Sequence, residues 1–296
     1  AREVVLARCR RRGHRQRRLH HRLAGRRMIA ALLQFGPAYL DVAGNLDRVE
    51  ALLDGVDADL VVLPELFATG YFFRSLEDSA SVSEPIPDGP TTERLQTWAA
   101  ATGATFVAGL PELGDDGKRY NSAVVVRPNG STETYRKVHL FYREKDWAAP
   151  GDLGFRVFDA TTRDGMPYRL GVMICFDWYF PEAARSLALQ GADVIAHPSN
   201  LVRKDCPRSM PIRALENHVV TITANRTGTE SVGDETLTFI GQSVICSPEG
   251  HPIASAGREE TTVLTAKFDP HASRERQLTA TNHLFGDRRP DVYTLE

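Results

Sequence analysis

Short, nearly continuous apolar runs alternate with amphipathic stretches along the first half of the chain. Ile29 to Gln34 and Asp59 to Leu63 read as strands, because runs of this length are what a strand buried on both faces presents. Asn45 to Leu53 and Thr91 to Ala101 repeat their apolar positions every three to four residues and read as helices, with the strand Thr105 to Leu110 after them. YNSAVVVR and STETYRK are extended runs joined by Pro128-Asn129-Gly130, turn chemistry that closes an antiparallel hairpin. Farther on come a strand Asp193 to Ala196, a helix through Arg213 to Val219, a strand Thr221 to Ala224 and a second hairpin around Pro248-Glu249-Gly250. Strand and helix in alternation, with hairpins added, predict an α/β fold built on a mixed sheet.

The apolar run YRLGVMIC ends in Cys175 and is followed by FDWYFPEAARSLALQGA. A buried strand thus delivers a thiol to a turn before a helix, the strand end at which open α/β sheets place their chemistry. Most buried cysteines are inert small core residues, and Cys175 alone leaves both readings open. Two further strand ends alter that balance. VVLPELFATGY places Glu65 just after a strand, and ETYRKVHLF places Lys137 at the end of another. Glutamate and lysine are rarely buried without a partner, so the three explain one another if they converge. A thiol with a pKa of about 8.5 is only a few per cent ionised at neutral pH, so a catalytic cysteine needs a base or a nearby cation. Glu65 can be the base, and Lys137 the cation that, with the Phe176 N–H, holds a developing oxyanion.

With these segments the chain resembles the nitrilase superfamily of carbon-nitrogen hydrolases. The resemblance runs from about Ile29 to the C-terminus through VVLPELFATGY, YNSAVVV, YRKVHLFYREKDWAAPGDLGF, GVMICFDWYFPEAAR, MPIRALENHVVTITANRTG and DRRPDVY, and is nearest to archaeal-type nitrilases and carbamoylputrescine amidase-like enzymes. It implies a four-layer αββα sandwich with two mixed β-sheets, assembled as a homodimer or higher homo-oligomer. It also implies Glu65 as general base, Lys137 as oxyanion stabiliser, Cys175 as nucleophile and Glu144 in FYREKD as the second glutamate, orienting Lys137 or the substrate. The expected reaction is hydrolysis of a small non-peptide nitrile or amide to an acid and ammonia through a covalent thioester. An N-carbamoyl amine amidohydrolase is the alternative within the family. Tyr71, Phe141, Phe176, Trp178 and Asn200 are candidate substrate-binding residues, with Tyr179, Asn225 and Arg226 as weaker ones. Arg213, Glu216 and Asn217 read as a structural or interface network, and Asp177 and Glu182 as acids suited to a helix N-terminus. The stretch FDWYFPE after the nucleophile carries no arginine, the usual grip on a carboxylate, so an amino-acid carbamoylase is disfavoured and a neutral or cationic substrate expected.

Composition adds limits. With 296 residues, 42% hydrophobic and 25% charged, the chain has apolar material for one substantial core, expected over residues 28 to 296. No apolar run approaches the length of about 18 residues that a spanning helix needs. Residues 1 to 27 carry eleven arginines against the single acid Glu3, although the whole chain has a formal charge of −2. Lacking aromatic residues to stack bases, this basic segment is read as a disordered N-terminal extension and not as a nucleic-acid arm, transit peptide or export signal. Cys9, Cys175, Cys206 and Cys246 show no CxxC pair, and the histidines no metal-ligand spacing, so neither disulfides, metal nor other cofactor is expected and a reducing cytoplasm fits. Two other classes stay open: a Cys-His hydrolase in which His139 or His197 activates Cys175, and a catalytically silent interaction protein with the basic tail as its binding element.

Overall fold

The computed structural model describes residues 26 to 294, so most of the basic extension, including Cys9, lies outside the described residues. The strands, in chain order, are β1 (Met28–Gln34), β2 (Leu60–Val62), β3 (Thr105–Leu113), β4 (Arg119–Val126), β5 (Thr132–Arg136), β6 (Val157–Thr161), β7 (Pro167–Val172), β8 (Val194–Pro198), β9 (Val220–Ala224), β10 (Thr229–Val232), β11 (Glu235–Thr238), β12 (Val244–Cys246), β13 (Pro252–Ser255) and β14 (Thr262–Phe268). The helices are α1 (Val42–Leu53), α2 (Leu76–Val82), α3 (Pro90–Thr102), the single turn α4 (Glu144–Trp147), α5 (Pro181–Leu189) and α6 (Cys206–Asn217).

Two six-stranded mixed sheets result, in the orders β14-β1-β2-β3-β4-β5 and β13-β12-β9-β8-β7-β6. Each has three parallel strands at its centre, β1-β2-β3 in one and β7-β8-β9 in the other, with antiparallel strands outside. The period-two alternation of a strand decides which side chain meets which layer. Met28, Ala30 and Leu32 of β1 point to the second sheet, into a core shared with Leu170, Val172, Val220 and Ile222. Ala31 and Leu33 point the other way, onto Leu46 and Val49 of α1 and Leu95 and Trp98 of α3. On the far side, Ala183 and Leu187 of α5 and Met210 of α6 cover the second sheet. The layers are therefore helix, sheet, sheet, helix, the expected αββα sandwich.

The differences from expectation have local causes. Helix α6 begins well before Arg213, at Cys206, because Pro207 occupies its first turn, where the missing N–H is harmless, and Pro211 is tolerated inside it. Strand β3 runs on through Pro111 to Leu113 and pairs with β4 over that whole length, whereas a proline argues for an earlier end. Helix α2, strand β6 and the small β10-β11 hairpin had no clear periodicity to reveal them. Among the described residues no helix is long and apolar enough to cross a membrane, and no group of His, Cys, Asp and Glu side chains is placed to hold a metal ion.

Candidate active site

Three segment ends meet above the sheets. Glu65 follows β2, where the backbone is held by β3: Gly109 N donates to Pro64 O at 3.2 Å and Phe67 N to Gly109 O at 3.3 Å. A Cβ at Gly109 would stand 2.5 Å from Glu65 Cα, so only glycine lets the two chains approach. Lys137 directly follows β5. Cys175 begins the 3₁₀ turn Cys175–Tyr179 after β7 and has φ of +41°. A non-glycine residue there stores strain that the surrounding structure must hold, as at other strand-to-helix nucleophile turns. Leu66 beside Glu65 and Tyr142 near Glu144 share this left-handed geometry, with φ of +47° and +51°.

Glu65, Lys137 and Glu144 form one buried cluster. Lys137 Nζ donates to Glu65 Oε1 at 2.7 Å and to Glu144 Oε1 at 2.6 Å, with all three side chains essentially free of solvent. Asn121 Nδ2 donates to Glu65 Oε1 at 2.7 Å. Tyr71 Oη donates to Glu144 Oε1 at 2.6 Å and Phe141 N to Glu144 Oε2 at 3.1 Å. One ammonium thus serves two carboxylates, and one carboxylate oxygen, Glu65 Oε2, is buried with no partner among the described residues.

The charges follow from that imbalance. Burial, with the Glu144 charge adding to it against the pull of Lys137, pushes the Glu65 carboxyl up to about 7. Burial opposes the Lys137 charge, but the Glu144 and Glu65 carboxylates outweigh it and hold the ammonium protonated above its usual range. Burial raises the Cys175 thiol well above its ordinary range, with Glu65 adding to the rise and Lys137 opposing it. At rest the sulfur is therefore a neutral thiol beside an acid poised near neutrality.

Asp177 lies in the first turn of the 3₁₀ segment that follows β7, in the structural role expected of it, and is fully buried: Oδ1 accepts from His139 N at 3.2 Å and from His139 Nδ1 at 2.8 Å, while Oδ2 accepts from Tyr135 Oη at 2.7 Å and from Ile174 N at 2.9 Å. Tyr135 and His139 flank Lys137 by two residues on either side, so this carboxylate ties the lysine segment to the cysteine turn and has no face left for a cationic substrate. Glu182 does lie in the first turn of α5, as expected. His197 is also accounted for. Its Nε2 meets the Cys175 carbonyl oxygen at 2.9 Å and its Nδ1 the Thr223 hydroxyl at 3.1 Å, and burial lowers it to about 4, leaving a neutral ring that braces the turn.

Beside the thiol lies a small, tight cleft walled by Phe141, Phe176, Trp178 and Leu201, with Asn200 and Arg203 as its polar members apart from Cys175. Phe141, Phe176, Trp178 and Asn200 thus reach this wall. Tyr71 does not, its hydroxyl going to Glu144 and its N–H to Glu230 Oε2 at 3.0 Å. Asn225 braces the cleft loop, accepting from Leu201 N at 2.8 Å, and Arg226 pairs with buried Glu230, which also accepts from Phe72 N at 2.7 Å. Arg213 donates to Trp178 O at 3.1 Å and pairs with Glu216 at 3.0 Å, and Asn217 donates to Arg213 O at 2.9 Å, an internal structural network. Asn121, Glu230 and Arg203 were not singled out in the sequence. Asn121 had a signal, standing with Ser122 as a polar pair at the head of the apolar run AVVV, while Arg203 sits in a charged loop that offers none.

Residues 29–277 match the model of the carbon-nitrogen hydrolase family. A nitrilase of Pyrococcus abyssi is 48% identical over 266 residues, covering 89% of this chain and 98% of that protein. An N-carbamoylputrescine amidase of Solanum lycopersicum is 33% identical, covering 91% and 95%. A mutant of the amidase from Nesterenkonia sp. AN1, in complex with butyramide, superposes with a TM-score of 0.68 at 27% identity, covering 84% of this chain and 94% of that one.

Proposed function

Because the chain belongs to the carbon-nitrogen hydrolase family, we propose that it hydrolyses a small non-peptide amide or nitrile to a carboxylic acid and ammonia, with Cys175 as nucleophile, Glu65 as proton carrier and Lys137 as the fixed cation. The observation that carries this reading is the buried Glu65–Lys137–Glu144 cluster, with Glu65 Oε2 unpartnered among the described residues, tied to the Cys175 turn by the Asp177 bonds to Tyr135 and His139 on either side of Lys137. An orphaned buried oxygen is costly unless it has a task, and a carboxyl near 7 next to a neutral thiol is matched to taking and returning a proton.

The steps balance as follows for an amide. Glu65 takes the thiol proton as the sulfur bonds to the carbonyl carbon, and the oxygen gains the electron pair of the C=O π bond. Lys137 Nζ and the Phe176 N–H, which lies in the first turn of a helix where N–H groups lack intrahelical acceptors, hold that oxyanion. The C–N bond breaks, the nitrogen accepts the proton from Glu65, and ammonia leaves a thioester. Water then loses a proton to Glu65 as its oxygen bonds to the thioester carbon, and collapse frees the acid while Glu65 reprotonates the sulfur. For a nitrile, attack gives a thioimidate that one water converts to the same thioester with loss of ammonia.

Glu144 accepts from Lys137 Nζ at 2.6 Å and is itself locked by Tyr71 and the Phe141 N–H, which supports an orienting role. Phe141, Phe176, Trp178 and Asn200 serve as substrate walls. The tomato relative's name suggests a carbamoyl amine as the second reading, but the cleft's one charged side chain is cationic, which favours the amide or nitrile. A cytoplasmic homodimer is the working form we propose, to be measured by sedimentation. The deciding experiment is ammonia release over a panel of small amides, nitriles and carbamoyl compounds, with intact-mass detection of an acyl adduct. Turnover lost in Cys175→Ala, together with an adduct on the Cys175 peptide, is expected; turnover unchanged in that variant would remove the mechanism.

A further inference from the structure

Glu230, on β10, has no part in the chemistry above, yet it reaches the active cluster from behind. It is 8% exposed, and its Oε1 accepts from Arg226 Nη1, on a side chain only 2% exposed. Its Oε2 accepts from Tyr71 N at 3.0 Å and from Phe72 N at 2.7 Å, so this carboxylate fixes the backbone of the segment that follows β2. Gly70 makes room for it. A Cβ there would stand 2.8 Å from Glu230 Oε1, and the φ of +81° suits glycine. The Arg226 guanidinium also lies 4.0 Å from the Phe239 ring centroid, and that ring meets Tyr71 edge-on with centroids 5.8 Å apart. Backbone and ring of Tyr71 are thus both held from the β10-β11 hairpin and its flanks. The Tyr71 hydroxyl donates in turn to Glu144 Oε1, the oxygen that also accepts from Lys137 Nζ. Burial, with the Glu144 charge adding to it, raises the Tyr71 phenol well above its usual range, so it stays a donor at every working pH.

We propose that Glu230 is a positioning residue which, acting through Tyr71, holds Glu144 and with it Lys137 in the alignment that the developing oxyanion requires. The proposal rests on the hydrolase reading and deepens it. A lysine ammonium is a compact charge on a flexible stem, so its acceptors set where it points. Glu65 gains and loses a proton during the cycle, and its pull on the ammonium changes with each step. Glu144 is the constant acceptor, and its own orientation depends on Tyr71 Oη and the Phe141 N–H. A misplacement of about 1 Å far from the chemistry can cost about a hundredfold in rate, so a rigid support behind Tyr71 has a kinetic consequence. Glu230 supplies that rigidity, because two backbone donors and a buried guanidinium leave its carboxylate one orientation. Glu235, on the same hairpin, differs in kind. It pairs with Tyr142 and Arg143 at the surface, with 39% of its side chain and of Arg143's open to solvent, and such a pair contributes little.

The test is a double-mutant cycle on Glu230→Gln and Tyr71→Phe, read as kcat and KM for the small amide that the parent turns over best. An oxyanion contact is made only in the transition state, so its loss falls on kcat and spares KM. Each single variant is expected to lose about tenfold in kcat, the low end for a hydrogen bond to a charged group, with KM within about twofold of the parent. The double variant should lose about the same tenfold, and not the roughly hundredfold of independent effects, because both changes act through one contact. A role confined to holding the fold would lower the urea midpoint without that coupling in kcat. Arg226→Met/Glu230→Gln, which removes both charges of the buried pair, takes the place of Glu230→Gln in the cycle if the single variant does not fold. Glu235→Gln is the control, with kcat expected within about twofold of the parent; a loss as large as that of Glu230→Gln would mean general loosening of the hairpin and count against the proposal. A roughly hundredfold loss in the double variant, a loss carried by KM, or an unchanged kcat in Tyr71→Phe overturns it. Ammonia release absent in the parent for every amide and nitrile would sink the hydrolase reading, whereas release with independent losses would sink only this one.

Discussion

Asn121 offers a direct test of how Glu65 is set. Its Nδ2 donates to Glu65 Oε1 at 2.7 Å from within β4, while its own Oδ1 is buried without a partner, so Asn121→Leu removes a donor and a frustrated acceptor with little change of volume. Lys137 still holds the same carboxylate oxygen, which keeps Glu65 in place. A hydrogen bond to a charged group contributes about 1.5–3 kcal/mol, and about 1.4 kcal/mol is one pKa unit; taking the low end, Glu65 rises from about 7 to roughly 8. The carboxylate is the active form, so kcat/KM falls as the pH drops through that value. The variant is expected to lose about fivefold at pH 7, where the ionised fraction drops from half to roughly one in eleven, and to recover nearly all of its activity at pH 9. The assay is kcat/KM for a small amide from pH 5 to 9.5, which reports the free enzyme's ionisations. An acid limb that stays near 7 in the variant, with a uniform loss at every pH, would refute the assignment of that limb to Glu65.

Other consequences follow from the same cluster. Lys137→Met leaves Glu65 and Glu144 buried without their cation and should destabilise the fold by about 3–5 kcal/mol near neutral pH. Because the orphaned carboxylates relieve the cost by taking up protons, the loss in urea midpoint should shrink towards pH 5; an equal loss at pH 5 and 8 would contradict the charge argument. His197→Gln keeps a hydrogen-bonding group near the Cys175 carbonyl, and since the ring is already neutral at working pH, the variant should retain measurable turnover with an unshifted acid limb. Turnover abolished in His197→Gln but kept in Glu65→Gln would favour the Cys-His alternative.

Much of the fold was legible because it is written in local periodicity. The apolar runs of β1, β8 and β9 and the spacing in α1 and α3 are properties of adjacent residues, and so are the turns at Pro128-Asn129-Gly130 and Pro248-Glu249-Gly250. In β3 and α6, which run beyond the expected Thr105 to Leu110 and begin before the expected Arg213, tertiary pairing and first-turn placement accommodate prolines inside the element. The candidates Glu65, Lys137 and Cys175 drew notice for a related reason: each is a polar, reactive side chain at the end of an extended run, where burial without a partner would be costly.

The chain alone therefore determined the α/β class, most of the strands and the three candidate groups at their ends, because short-range pattern dictates which segments are extended and which ends carry polar, reactive side chains. Only the folded structure decided that one ammonium is shared by two carboxylates, that Asp177 faces inward to Tyr135 and His139, and that Arg203 arrives beside the thiol. Those facts are distances between residues far apart in sequence. Electrostatic and hydrogen-bonding energies depend on separation in space and on burial, and neither quantity exists until the two sheets have closed on each other.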